Sequence, residues 1–318
     1  MFVVVEGRPS RNSTAPNNRV VKRVRRVQRL VRHGARPLRN TAYMDISTTT
    51  LLNNGIHMPM VGLGTYKSGD GAEVGAAVRW ALDAGYRAID TASMYQNEVG
   101  IGAAVAASDV PRADVFITSK VWNSDQGYEP TLTSCAETLE RLDADYLDLL
   151  LIHWPSRSHM ADTWRAMEEL VGLGKVRAIG VSNFLVHHLE ELLSFATIPP
   201  VVNQVEHHPY LQQPELLAAC AEHNIKVTAW APLLKGRVNN IETIVSIANE
   251  LGATPAQVTL RWMLERDVIV IPKSVRHERI LENADLFGFS LTPEQMEKLN
   301  ALDRAERNGP NPDEFPGT

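Results

Sequence analysis

A chain of 318 residues, 44% hydrophobic and 22% charged, has the balance of a globular protein and the length of a single α/β barrel. No stretch approaches the ~20 apolar residues of a membrane span, and no low-complexity tract or solenoid-length repeat occurs. The net charge of −5 hides a division: residues 1–43 hold eleven Lys or Arg against the single acid Glu6, net +10, so the body carries −15.

The basic segment 1–43 is acid-poor and partly amphipathic around Val20–Val27. It suits an organellar transit peptide, a basic arm for nucleic acid or anionic lipid, or an upstream reading frame ahead of Met44. It is expected to be poorly ordered and separate from the chemistry, with residues 44–318 forming the catalytic body.

From Thr48 onward, short β-branched runs alternate with amphipathic stretches. Thr50–Met58 reads as a hairpin turning on Asn54-Gly55. A strand at Met60–Gly64 precedes a helix over Glu73–Ala84 that Gly85 stops; strand Ala88–Asp90 precedes helix Glu98–Ala107. Strand Val115–Lys120 leads to a helix from Pro130. The unbroken apolar run Leu147–His153 reads as a strand buried on both faces, followed by helix Asp162–Leu173. Strand Ala178–Val181 and helix His187–Leu193 come next, then strand Val201–Glu206 with helix Gln213–His223. Strand Lys226–Trp230 is followed by two helices, Ile241–Leu251 and Ala256–Glu265, before strand Val268–Ile271 and a helix from His277. Thr292-Pro293-Glu294-Gln295 caps a last helix outside the repeat. About eight strand–helix alternations predict a single (β/α)8 TIM barrel, its bottom closed by the N-terminal hairpin.

Several motifs point elsewhere and fail on context. Gly62-Leu63-Gly64, Gly69-Asp70-Gly71 and Gly100-Ile101-Gly102 begin like dinucleotide fingerprints but lack the third glycine between strand and helix. Gly172-Leu173-Gly174-Lys175 lacks the strand and hydroxyl residue of a phosphate loop; Gly180-Val181-Ser182-Asn183-Phe184 lacks the closing glycine of a nucleophile elbow. The pairs His187-His188 and His207-His208 are expected to diverge, and most of them read as surface or loop histidines. Cys135 and Cys220, with no second Cys or His at ligand spacing, read as buried thiols; no metal site is expected.

Residues at the C-terminal ends of barrel strands face a common mouth, and four reactive side chains fall there. Asp90 ends the second strand, Tyr95 lies five residues on, Lys120 ends the third, and His153 ends the fourth. Singly, these are a turn cap, a loop aromatic, a surface charge and a core histidine. Together they make an acid catalyst. Tyr95 donates a proton, Lys120 lowers the phenol's pKa, and Asp90 keeps the ammonium charged. His153 donates a hydrogen bond to a carbonyl oxygen. Without a covalent nucleophile or metal cluster, a hydride must come from a cofactor. Lys273, Arg276 and Arg279 cluster after the last strand of an acidic body, as a phosphate dianion would require.

The sequence resembles the aldo-keto reductases. Asp90-Thr91-Ala92 with Tyr95 and Asn97-Glu98, Thr118–Trp122, Leu151–Pro155, Gly180–Asn183 and Ile271–Ser274 match that family's signatures in order, from about Thr49 to Pro316. Within it, Trp122–Tyr128 and Asn308–Pro312 are most similar to microbial 2,5-diketogluconate reductases and protozoan prostaglandin F synthases. The resemblance implies NADPH lying extended across the mouth, with Gly64 and Thr65 beside it. Ser182, Asn183 and Gln204 would hold the carboxamide, and Trp230 would stack on the nicotinamide. Leu233 and Lys235 would close on the pyrophosphate. Lys273, Ser274, Val275 and Arg279 would receive the 2′-phosphate, and Glu282 and Asn283 the adenine. Two departures stand out. Ala231-Pro232-Leu233-Leu234-Lys235-Gly236 replaces the family's Ser-Pro-Leu-Gly, leaving Lys235 as a compensating charge, and His207 stands where an apolar residue is common.

Tyr66, Trp122, Trp154 and His153 are expected to wall a substrate pocket for apolar or mixed carbonyl compounds. The expected partner is a small-molecule carbonyl, with neither membrane nor nucleic acid for the barrel. A cytoplasmic monomer is the accompanying expectation, with organellar import through residues 1–43 the other course. The main rival reading is an NADPH-binding barrel acting as a regulatory or interaction subunit; the second is a nucleic-acid binder resting on residues 1–43 alone.

Overall fold

The computed structural model describes residues 44–315; the readings offered for residues 1–43 lie outside the described residues. The antiparallel hairpin comprises β1 (Thr49–Leu51) and β2 (His57–Pro59), with Thr49 opposite Pro59. Its turn differs from the two-residue form expected. Gly55 N–H donates to Leu52 O, so Asn53 and Asn54 are the central residues, and Gly55 follows at φ 86°. A turn followed by a left-handed glycine is the three-residue hairpin loop. Asn53 Nδ2 donates to Pro200 O and Asn54 Nδ2 to Arg177 O, both just ahead of barrel strands. The loop therefore lies against the N-terminal end of the barrel.

The barrel begins with β3 (Leu63–Gly64), α1 (Ala72–Asp83), β4 (Ala88–Asp90), α2 (Glu98–Ala106), β5 (Phe116–Val121) and α3 (Tyr128–Leu142). It continues through β6 (Leu149–Ile152), α4 (Met160–Gly172), β7 (Ile179–Ser182), α5 (Val186–Leu193), β8 (Val202–Glu206), α6 (Pro214–Glu222) and β9 (Lys226–Trp230). The last crossover holds two helices, α7 (Glu242–Leu251) and α8 (Pro255–Leu264), before β10 (Val268–Val270) and α9 (His277–Ala284); α10 (Pro293–Asn300) follows. The eight strands β3 to β10 pair in parallel in chain order. Parallel bridges Val61–Val270 and Gly64–Lys273 join the two edges. The (β/α)8 TIM barrel and its hairpin are as expected.

The strands read as apolar runs because both faces are covered: every residue of β4, β5, β6, β7, β8 and β10 is buried. Glycines that mimic nucleotide motifs have packing roles. A Cβ at Gly102 would stand 2.2 Å from Leu142 O, and one at Gly100 would stand 2.7 Å from Gly71 N, so helix α2 packs there by backbone approach. At Gly64 a Cβ would meet Ile271 O at 2.7 Å, across the closing seam. Cys135 and Cys220 are free and buried, their thiols pushed up by burial to about 12 and about 11. Such thiols are inert.

Candidate active site

Asp90 closes β4 opposite Thr118, Lys120 sits near the end of β5, and His153 follows β6. Tyr95 is carried by the 3-10 turn Ser93–Tyr95, whose exit residue Gln96 takes φ 55°. That turn is tied down by Asn97: Thr91 Oγ1 donates to its Oδ1 (2.7 Å), and its Nδ2 donates to Thr65 O (3.0 Å) and Ser68 O (3.3 Å). Ser93 Oγ donates to Lys120 O (3.1 Å), joining the turn to β5. The four residues gather as expected. Lys120 Nζ lies 2.6 Å from Asp90 Oδ1, 2.7 Å from Thr91 O and 3.5 Å from the Tyr95 hydroxyl. The His153 ring meets Tyr95 edge-on at 5.7 Å and Trp122 at 5.0 Å.

The electrostatics depart from expectation in one respect. The protein packed around the phenol pushes the Tyr95 pKa well above its ordinary value, and the negative charge of Asp90 pushes the same way. Burial outweighs the ammonium, which stands nearly 1 Å closer to Asp90 than to the phenol. Burial also lowers Lys120, against the upward pull of Asp90. Burial, aided by Lys120, holds His153 well below the usual imidazole range, so its ring is neutral and keeps one N–H to donate. Tyr95 thus holds its proton firmly.

Around this quartet, Ser182 Oγ donates to Gln204 O (2.8 Å), and Asn183, at φ 64°, donates through Nδ2 to His153 O (2.9 Å). Trp230 Nε1 donates to Asn183 Oδ1 (2.8 Å), and Gln204 Nε2 donates to Asp90 Oδ2 (2.6 Å). Three expected carboxamide contacts are therefore bonded to the residues of this quartet or to one another. Thr65 Oγ1 donates to Asp90 O beside Gly64. At the far side, Lys273, Arg276 and Arg279 are exposed at the start of α9; Arg276 faces Glu278 at 3.4 Å. Among the described residues, Lys273 and Arg279 have no acidic partner within ion-pair distance. Ser274 Oγ accepts Arg276 N–H (3.1 Å), turning the chain into the helix behind Val275; Asn283 is buried there and Glu282 half-buried. Unspent cations at a helix start suit a phosphate dianion, so the residues present fit a phosphorylated dinucleotide. Leu233 and exposed Lys235 flank Leu234, which is fully buried. Ala231, Leu234 and Lys235 all adopt positive φ (51°, 53° and 55°), so this divergent loop is strained where the family's glycine would relax it.

Tyr66, 49% exposed, packs on Tyr95 at 4.9 Å; Trp122 is half-buried and Trp154 buried. Sequence reasoning missed Phe315, whose ring lies 4.3 Å from Trp154 and 6.2 Å from Trp122. It also missed Glu206, which is buried and accepts Asn308 N–H (2.7 Å), Gly309 N–H (3.1 Å) and His208 (3.0 Å). Only the placement of an acid at the end of a barrel strand hints at it. The histidines need correction. His188, His207 and His208 are buried rather than surface groups, and the His187 and His188 rings converge at 4.0 Å because both face one acid, Asp313. His207 stacks on Trp262 inside the core.

Burial depresses His153, His207 and His188, the last to about 4. Below about pH 6.5 the unfolded chain takes up protons that these folded rings refuse. Stability is expected to fall as pH drops through 6.5 toward 5, by up to roughly 1.4 kcal/mol per pH unit for each such histidine. Urea midpoints at several pH values test this; an unchanged midpoint down to pH 5.5 would contradict it.

A sequence model of the aldo/keto reductase family matches residues 60–304. The chain is 52% identical to a glyoxal reductase of Bacillus subtilis (strain 168) over 271 residues, 85% of this chain and 98% of the relative. It is 48% identical to a 9,11-endoperoxide prostaglandin H2 reductase of Trypanosoma cruzi (strain CL Brener), over 83% of this chain and 94% of that protein. Among solved structures, a variant of Gox0644 in complex with NADPH superposes with a TM-score of 0.81 at 40% identity, covering 85% of this chain and 98% of that one.

Proposed function

Since the chain belongs to the aldo/keto reductase family and is an NADPH-dependent oxidoreductase, we propose that it reduces small aldehydes and α-dicarbonyl compounds to alcohols with Tyr95 as the general acid. The observation that carries this reading is the chain of contacts from Asp90 through Lys120 Nζ to the Tyr95 hydroxyl. Bound NADPH supplies the hydride. His153, neutral, donates its N–H to the carbonyl oxygen and orients it. As charge grows on that oxygen, Tyr95 releases its proton to it, and the Lys120 ammonium stabilises the phenolate left behind. Asp90 and Gln204 keep the ammonium in register. A regulatory barrel would have no use for a proton donor, so the rival reading draws no support from this site.

Gly64 and Thr65, with Trp230 and the Ser182-Asn183-Gln204 frame, would border the nicotinamide end; Leu233 and Lys235 would meet the pyrophosphate, and Lys273, Ser274, Val275, Arg279, Glu282 and Asn283 the adenosine end. Tyr66, Trp122 and Trp154 would wall the substrate. Small dicarbonyls are favoured because aromatic rings crowd this mouth. The test is NADPH consumption across glyoxal, methylglyoxal, an aryl aldehyde, a keto-sugar acid and a prostaglandin endoperoxide. The dicarbonyls should give the highest kcat/KM; a clear preference for the endoperoxide or the sugar acid would displace that assignment. Arg279→Ala is expected to raise the KM for NADPH about ten- to a hundredfold while leaving that for NADH nearly unchanged. Equal effects on both dinucleotides would remove Arg279 from the 2′-phosphate site.

A further inference from the structure

After α10 the chain returns across the barrel mouth as a strap held at several points. Arg237 donates to Asn308 Oδ1 (2.8 Å) and Glu306 Oε1 (2.9 Å). Glu206 accepts the backbone of Asn308 and Gly309, and Gly309 lies so close to Trp230 that a Cβ there would stand 2.5 Å from the indole. The last hold is different in kind. His187 Nε2 lies 2.9 Å, and His188 Nε2 3.4 Å, from the same oxygen, Asp313 Oδ1.

Two imidazoles and a carboxylate resemble a cation site, but the hydrogen bonding argues otherwise. His188 Nδ1 accepts the Leu185 backbone N–H (3.2 Å), so the proton of the neutral ring sits on Nε2, the nitrogen 3.4 Å from Asp313. A nitrogen carrying that proton has no lone pair for a metal. The arrangement is one hydrogen bond, from His187 to Asp313, with the His188 N–H edge on the same side at a wider 3.4 Å. A rigid turn carries the hold to the pocket: Glu314 and Phe315 N–H both donate to Asn311 O (3.0 Å each), and Asp313 N–H donates to Asn311 Oδ1 (3.3 Å). Two residues beyond Asp313, the Phe315 ring lies against Trp154 and Trp122.

We propose that His187 and His188 are the catch of a C-terminal latch, and that Asp313 is the positioning residue through which they hold Phe315 as the closing wall of the substrate pocket. The proposal rests on the reading of Trp122 and Trp154 as substrate walls. It makes the histidine pair a determinant of substrate size, acting from outside the reacting atoms. His187 and Asp313 remain 47% and 40% exposed, so water competes for the contact and the catch can open.

The test compares wild type with Asp313→Ala, Phe315→Ala, the double variant and Asp313→Asn. Kinetics use glyoxal and a bulky aryl aldehyde, with hydrogen exchange followed over residues 308–315. Asp313→Ala should shift the ratio of the two KM values toward the bulky aldehyde by about fivefold, leave kcat within about twofold and speed exchange in the strap. Asp313→Asn should stay close to wild type, since its amide oxygen still accepts from His187. The double variant should match Phe315→Ala alone. His187→Ala, which spares the ring that bonds Leu185, should reproduce the shift in weaker form. The latch is overturned if Asp313→Ala keeps the wild-type KM ratio, if its effect adds to that of Phe315→Ala, or if exchange does not change. Wild-type behaviour should persist in EDTA; a shift on chelation would assign the cluster to a metal ion. If the wild type turns over no aldehyde, the carbonyl-reductase reading fails, while the exchange data still decide the latch.

Discussion

Tyr95→Phe should lower kcat by about 10²–10⁴-fold while leaving the affinity for NADPH within about twofold. The substitution removes one oxygen. The ring keeps its contacts with Tyr66 and His153, and the turn that carries it is held by Asn97 and Ser93, none of which touches the hydroxyl. Lys120 loses its most distant partner, at 3.5 Å, and keeps the two at 2.6 and 2.7 Å. Folding and dinucleotide binding should therefore persist while proton delivery fails. Turnover measured by NADPH consumption and binding measured by fluorescence titration separate the two. Near-normal kcat would mean that the proton comes from another group.

Lys120→Met is expected to be severe in both activity and stability. Lys120 is among the most deeply buried side chains, and its ion pair with Asp90 lies inside the barrel. Removing the ammonium leaves a buried carboxylate with Gln204 as its remaining side-chain partner, an imbalance worth about 3–5 kcal/mol. Turnover should drop at least as far as in Tyr95→Phe, since nothing then stabilises the phenolate. Adding Asp90→Leu should restore part of the lost stability by removing the stranded charge, and none of the activity. A single variant losing less than about 1 kcal/mol in urea unfolding would show that the pair is not held as ions.

The barrel was legible because buried parallel strands read as apolar runs, and because the reactive residues terminate those runs. Asp90, Lys120 and His153 each follow strand residues buried on both faces, which leaves the mouth as their destination. What was not legible depends on distance. No pattern says how tightly the protein packs around the Tyr95 hydroxyl or that Lys120 sits nearly 1 Å closer to Asp90 than to Tyr95, yet it is this burial, with Asp90's charge, that turns the expected pull on the phenol upward. The hairpin loop chose Asn53-Asn54 as its centre because Gly55 takes the left-handed place after them, and Asn-Gly alone admits either solution. Neighbouring helical histidines diverge by rule; His187 and His188 converge because a carboxylate more than a hundred positions away draws both. Phe315 lies beyond the repeat, where strand periodicity carries no information.

The barrel is sealed between its first and last strands by two bridges, one of them Gly64 to Lys273. Residues proposed to touch the dinucleotide stand on both sides of that join. A ligand stitched across it resists local opening as well as global unfolding, and its protection grows with the logarithm of its concentration. The protein's resistance to proteases would then track the supply of reduced nucleotide, so that a cell short of it would lose the catalyst along with the reductant.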